Sequence, residues 1–97
     1  MRPVRFLEQA RDEFLEQVAY YETEEKGLGD RFRECVEAAV VSAAANPRRG
    51  SPWRLRTRRV IPKGFPFSVV YRIELEELVI FAVAHFRRRP TYWKGRE

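Results

Sequence analysis

The side chains best suited to chemistry lie near the C-terminus of the sequence. His85 is the only histidine, and it is followed by the arginine run Arg87–Arg89 and by Tyr92. Metal-free cleavage of RNA needs a base for the 2′-hydroxyl, cations around the phosphorane and an acid for the leaving oxygen. His85, Arg87 and Tyr92 could fill these three roles. The alternative is a structural histidine, hydrogen-bonded at the end of a strand so that it holds the C-terminal tail.

Other kinds of catalytic or metal site find little support in the residue types. A single cysteine excludes an internal disulfide bond and a cysteine zinc cage, and one histidine adds no second nitrogen ligand. Cys35 falls on an apolar helical stripe, where a thiol usually packs inertly. The glycines of residues 26–30 neither follow a strand nor carry the lysine and hydroxyl of a phosphate loop. We therefore expect no metal and no cofactor.

Charge is divided unevenly along the chain, which has a net charge of +5 and the length of a single domain, residues 1–97. Residues 1–45 carry ten acidic and six basic side chains, whereas residues 46–97 carry thirteen basic and four acidic ones. Most of the basic residues in the second half are arginines, which bind phosphate and carboxylate groups through paired N–H bonds. This half favours a polyanion or an acidic protein as partner. The alternative is that a small domain needs charge to remain soluble.

Three aromatic residues flank the basic clusters: Trp53, Tyr92 and Trp93. Such rings can stack on nucleic-acid bases, anchor a protein interface or pin a tail against a sheet. The sequence leaves these three roles open.

The elements that must position these residues follow from the spacing of apolar side chains. Residues 4–7 can form a short first strand. Apolar residues then recur every three or four positions over residues 7–43, interrupted only by Gly27 and Gly29, which predicts two helices. So short a connection predicts an antiparallel helical hairpin. Asp30 is the expected N-terminal cap of the second helix.

The period changes to two in the second half of the chain, where three strands are expected. Residues 54–61 and 65–73 alternate, and residues 78–85 are apolar on both faces, as in a central strand. His85 ends that strand in register with Val79, Phe81 and Val83. The predicted order is β-α-α-β-β-β, an α+β fold in which an antiparallel sheet packs against the N-terminal helical hairpin.

Several motifs occur together over nearly the whole chain: Tyr20–Glu22, Gly27–Gly29, Phe32, Asn46–Pro47, Phe65–Arg72 and Ala82–His85. As a set and in this order, they resemble the RelE/ParE toxin superfamily. The ending Arg89–Trp93 resembles its ParE branch in particular. The resemblance implies the RelE/ParE-like fold and the toxin of a bacterial type II toxin–antitoxin pair. It also implies a cytoplasmic location and no membrane partner.

The superfamily has two mechanisms, and departures from its motifs favour one of them. RelE-like members cut messenger RNA in the ribosomal A site with basic residues and a C-terminal tyrosine. Ser68 and Phe86 stand where that branch has arginines and only Tyr92 matches, so an endonuclease is the alternative here. ParE-like members are associated with poisoning DNA gyrase by binding, so the resemblance implies gyrase as the target and a toxin that is not itself an enzyme. An autonomous basic nucleic-acid-binding module is a third interpretation.

The resemblance also implies partners and the surfaces that bind them. The expected partner is a ParD-like antitoxin with an acidic tail that folds along the toxin, and promoter DNA is bound only indirectly, through this antitoxin. We expect the antitoxin on the helical hairpin, at Phe14, Val18, Tyr21 and Phe32, although the same stripe could form the core. The expected target surface consists of Arg59, Arg72, His85, Arg87, Arg89, Tyr92 and Trp93.

Overall fold

The computed structural model describes residues 1–97 and places the helical hairpin on one face of a five-stranded sheet. The elements in chain order are β1 (Val4–Phe6), α1 (Glu8–Glu24), α2 (Leu28–Ala45), β2 (Ser51–Pro52), β3 (Arg58–Val60), β4 (Phe67–Ile73) and β5 (Leu78–His85). Neither α1 nor α2 is long and apolar enough to cross a membrane.

The strand order is β1-β5-β4-β3-β2, and it confirms the predicted α+β fold with two corrections, of which the first is that the sheet has five strands and not four. β2, β3, β4 and β5 pair in antiparallel fashion, but β1 runs parallel to β5, so the sheet is mixed. Between β1 and its neighbour β5, the chain passes through both helices and three other strands. Alternation within so short a strand indicates that it is extended, but not the direction in which it pairs.

The turn between the helices depends on two glycines and one carboxylate. Gly27 has a φ of 87°, the left-handed conformation that glycine adopts most easily. Gly29 lies so close to α1 that an added Cβ would sit 2.5 Å from the carbonyl oxygen of Val18. Glu22 accepts hydrogen bonds from the backbone N–H groups of Gly27 and Gly29, at 2.9 and 3.0 Å. The start of α2 is therefore capped by Glu22 from the preceding helix, and not by Asp30 as predicted.

The core lies between the helical hairpin and the sheet, and aromatic rings fill much of it. Phe32 has no exposed surface. Its ring centroid lies 5.0 to 6.1 Å from those of Phe14, Tyr21, Phe65 and Phe67. The apolar residues of the two helices therefore pack against those of β4, as predicted, and these contacts fix the orientation of the sheet relative to the helices.

β5 is the central strand, between β1 and β4, as its two apolar faces predict. A β-bulge nevertheless changes the direction of its side chains. The register shifts between Val70 and Tyr71, and β5 has one extra residue there, Phe81. Phe81 consequently lies on the face away from the helices, where its ring packs against Trp93. His85 is therefore not in register with Phe81, and that prediction was wrong.

The segment before β3 also differs from its predicted form. Alternation over residues 54–61 predicts a strand, but only Arg58–Val60 is extended, and Arg54–Arg56 forms a 3₁₀ turn. Leu55 and Arg56 both have positive φ values, 56° and 63°, which side chains other than glycine seldom adopt. This left-handed pair reverses the chain, so that the short strand β2 can pair with β3.

Candidate binding site on the exposed sheet face

A cavity of about 310 Å³ opens on the sheet face that points away from the helices. Its floor is formed by side chains of β4 and β5, one wall by the segment around Trp53, and its rim by the C-terminal segment. Three arginines and the histidine line it, but no aspartate or glutamate does: Arg59, Arg88, Arg89 and His85. We call this feature the basic cavity.

Arg59 is held rigidly in the wall of the basic cavity. Its guanidinium carbon lies 3.7 Å from the ring centroid of Trp53, a close cation–π contact. Its Nη1 donates a hydrogen bond of 3.0 Å to the hydroxyl of Ser68, which is almost fully buried. Arg59 makes no ion pair, so its charge faces the cavity without a carboxylate partner.

Arg72, also predicted for the target surface, does not line the basic cavity. Its Nη2 donates a hydrogen bond of 2.7 Å to the carbonyl oxygen of Leu55, and its guanidinium carbon lies 4.5 Å from the Phe81 ring centroid. Its Nε is buried without a hydrogen-bond partner. The side chain therefore supports the left-handed turn at residues 54–56, next to the cavity wall.

His85 lies at the end of β5, between the two faces of the sheet. Its ring packs edge-on against Phe67, with centroids 5.1 Å apart, and its Nδ1 accepts a 3.0 Å hydrogen bond from the backbone N–H of Arg87. His85 lines the basic cavity and also a second cavity toward α1. The hydrogen bond with Arg87 lies within the turn that follows β5 and does not reach the rest of the C-terminal segment.

A carboxylate on α1 fastens the C-terminal segment to the sheet. Glu13 accepts hydrogen bonds from the Tyr92 hydroxyl at 2.7 Å, from Arg96 at 2.8 and 2.9 Å, and from the backbone N–H of Val83 at 3.1 Å. Arg96 also donates to the carbonyl oxygen of Phe81 at 3.0 Å. These groups occupy the edge of β5 beyond the end of β1, where the backbone would otherwise lack partners. We call Glu13, Tyr92 and Arg96 the Glu13 cluster.

The environment of the Glu13 cluster changes the acidity of its tyrosine. Burial raises the pKa of Tyr92, and the hydrogen bond to Glu13 raises it further. The hydrogen bond to Glu13 likewise raises the pKa of Arg96. Tyr92 therefore holds its proton more firmly than a free tyrosine, and its hydroxyl points at α1.

The sequence-predicted target residues divide into two groups. Four of them line the basic cavity: Arg59, His85, Arg89 and Trp93. Trp93 is 2% exposed, so its ring belongs to the cavity wall and the core rather than to a projecting anchor. The other three lie elsewhere: Arg72 under the turn, Tyr92 in the Glu13 cluster and Arg87 on the open surface. Of the alternative nuclease set, only His85 lines the cavity.

The residues predicted to bind an antitoxin lie mostly inside the fold. Phe32 is fully buried and Phe14 is 8% exposed, whereas Val18 and Tyr21 are partly exposed. An apolar groove runs beside them between β1 and the two helices, and Leu15 and Val41 are about half exposed in it. The groove was missed in the sequence because Leu15 and Val41 lie just outside the regular helical stripe.

No three potential metal ligands of the Asp, Glu, His or Cys types come together.

These features define a class of small α+β protein in which a helical hairpin covers one sheet face and the other face carries unpaired arginines. A solved chain titled "Chromosomal ParDE TA system from P. aeruginosa" shares this fold. The TM-score is 0.70 at 13% sequence identity, and the match covers 88% of this chain and 96% of that chain.

The family itself is shown by a match over most of the sequence. The family model for the ParE toxin of the type II toxin–antitoxin system parDE matches residues 4–90. The chain therefore belongs to the ParE toxin family, as the sequence motifs indicate. No curated protein matches it.

Proposed function

We propose that this ParE-family toxin acts by binding DNA gyrase, so that replication stalls on broken DNA, and that an acidic antitoxin neutralises it. The observation that carries the proposal is the unpaired positive charge on the exposed sheet face. Arg59, Arg88 and Arg89 surround a cavity without a carboxylate, while Arg87 projects beside it. Such a face attracts an acidic surface over a distance and orients it on approach.

Binding is better supported than RNA cleavage because of where the nuclease candidates lie. The Tyr92 hydroxyl donates its hydrogen bond to Glu13, and its raised pKa makes it a poor proton donor to a leaving oxygen. Ser68 supplies a hydroxyl, already bonded to Arg59, at the position where the RelE-like branch has an arginine. An endonuclease would have to rearrange the C-terminal segment before Tyr92 reached the basic cavity.

The apolar groove beside the helices supports the second half of the proposal. Leu15 and Val41 offer apolar surface, and Arg11 lies at the edge of the groove, whereas Arg33 there is already paired with Asp30 and Glu37. An amphipathic helix of an antitoxin can place its apolar side in such a groove and a carboxylate near Arg11. The antitoxin docks here, adjacent to Phe14 and Val18, and promoter DNA is reached only through it.

A growth-inhibition assay in bacteria distinguishes the proposed target-binding surface from the proposed antitoxin-binding groove. The double variant Arg87→Ala/Arg89→Ala should lose growth inhibition and still co-purify with its antitoxin. The variant Leu15→Glu should remain toxic but should escape neutralisation, because a charge in the apolar groove opposes docking. Arg48→Ala, an exposed arginine away from both surfaces, is the control and should behave as the wild type. Full toxicity of the Arg87/Arg89 double variant at equal expression would contradict the proposal.

A further inference from the structure

The basic cavity combines a positively charged rim with an apolar floor. Its rim is positive, because Arg59, Arg88 and Arg89 line it without an ion pair, although the Arg88 guanidinium carbon lies 3.8 Å from the Tyr92 ring centroid. In contrast, Arg5 and Arg96 each hold a carboxylate within 3.0 Å. A ligand that completes this rim must therefore bring more than one negative charge, as a phosphomonoester does.

The floor of the cavity is largely apolar. Val70 and Ala84 are almost fully buried at the base, and Trp93 lies beside them. Inorganic phosphate would satisfy the arginines but would leave this apolar floor empty. The ligand should therefore carry an apolar, planar body next to its charged group.

Arg59 and Trp53 provide a platform for such a planar body. The guanidinium lies 3.7 Å from the indole centroid, and the bond to Ser68 fixes it there. One guanidinium face is thus covered by Trp53, and a base can stack on an arginine plane held in this way. The remaining N–H groups of Arg59 are available to the phosphate.

The volume of the cavity limits the size of the ligand. About 310 Å³ is at the lower end of the range of small-molecule sites, which suits one nucleotide unit rather than a length of peptide. We propose that the basic cavity binds a nucleoside monophosphate unit, with its phosphate on Arg59, Arg88 and Arg89 and its base on the Arg59–Trp53 platform. The unit comes either from a free nucleotide or from the 5′-phosphorylated end of a DNA strand. This inference does not depend on which protein the toxin poisons.

The test is a titration of the purified full chain, followed by amide NMR shifts or calorimetry. The probes are deoxyadenosine monophosphate, a short single-stranded oligonucleotide with a 5′-phosphate, the same oligonucleotide with a 5′-hydroxyl, and inorganic phosphate. We expect saturable binding of at least one 5′-phosphorylated probe, at least about tenfold tighter than for the 5′-hydroxyl oligonucleotide and inorganic phosphate. Which phosphorylated probe binds better identifies the source of the nucleotide.

Three variants assign the binding to the cavity. Arg59→Gln and Arg89→Gln should each weaken binding by about tenfold or more, because each removes a charged hydrogen-bond donor. Arg89 is exposed, so its variant keeps the proposal testable if Arg59→Gln does not fold. Arg48→Gln lowers the net charge equally outside the cavity and should bind as the wild type. Equal binding of the 5′-phosphate and 5′-hydroxyl oligonucleotides, equal binding of inorganic phosphate, preference for an acidic peptide, or equal losses in all three variants would overturn the proposal.

Discussion

Replacing Glu13 by glutamine tests whether one carboxylate holds the C-terminal segment in place. Glu13 accepts four hydrogen bonds, from Tyr92, twice from Arg96 and from the backbone of Val83. Glutamine has nearly the same shape, but it is neutral and can accept through only one of its two polar atoms. The variant therefore removes the ion pair and leaves the Arg96 charge without a partner.

The expected loss follows from how far the pair is shielded from water. Removing one partner of a fully buried ion pair costs about 3–5 kcal/mol. The side chains of Glu13 and Arg96 are 18% and 16% exposed, so water reaches part of the pair and glutamine keeps some hydrogen bonds. We expect a loss of about 2 kcal/mol in the free energy of unfolding. In a domain of this size, this corresponds to a fall in Tm of about 8–16 °C.

Urea unfolding followed by circular dichroism gives the free energy, and hydrogen exchange shows where the loss occurs. The amides of Tyr92, Lys94 and Arg96, which bond within the C-terminal segment, should exchange faster in Glu13→Gln. Glu16→Gln is the matched control, because Glu16 lies one turn further along α1, exposed and without a hydrogen-bond partner. A loss below about 0.5 kcal/mol in Glu13→Gln, or an equal loss in both variants, would refute the role assigned to Glu13.

Three further predictions concern single side chains. Tyr71→Phe should cost about 1–3 kcal/mol in urea unfolding, because the buried hydroxyl donates to the Pro47 carbonyl at 2.6 Å and accepts from the Gly50 N–H at 3.0 Å. The raised pKa of Tyr92 means that the folded state keeps a proton that the unfolded chain releases, so stability is full below about pH 10 and falls above it. Urea unfolding at about pH 9 and about pH 11 should show that Tyr92→Phe reduces the fall between these two pH values by about 1.4 kcal/mol in total. Leu55→Gly should unfold at the same urea concentration as the wild type or at a higher one, because glycine relieves a strain of about 1–2 kcal/mol in the left-handed backbone at this position. A clear fall in the free energy of unfolding would contradict this backbone strain.

The hairpin and the central strand could be predicted from the sequence because each depends on a regular pattern. The helical stripe around Phe14 and Phe32 and the two apolar faces of β5 specify what must be buried, and the structure buries these residues. The direction of β1 could not be predicted, since a three-residue strand carries no pairing information. The bulge at Phe81 could not be predicted either. One inserted residue leaves the strand equally apolar, but it changes the sheet face on which the neighbouring side chains lie.

The site was predictable as a region but not as a set of contacts. Arg59, Arg89 and Trp93 do line one cavity on the exposed sheet face, whereas Arg72, Arg87 and Tyr92 lie outside it. The role of Glu13 could not be predicted, because nothing local in the sequence connects it to Tyr92, 79 positions away. Arg72 was grouped with the arginines of the target surface, but its hydrogen bond to the Leu55 carbonyl depends on a turn that no alternation pattern encodes.

The proposed action on gyrase is tested most directly with purified components. The antitoxin-free toxin is incubated with gyrase, supercoiled plasmid and ATP, and the mixture is then treated with detergent and protease. The proposal predicts linear plasmid in proportion to the wild-type toxin, and little or none with Arg87→Ala/Arg89→Ala. Unchanged supercoiling without broken DNA, at toxin concentrations well above that of the enzyme, would contradict gyrase as the target.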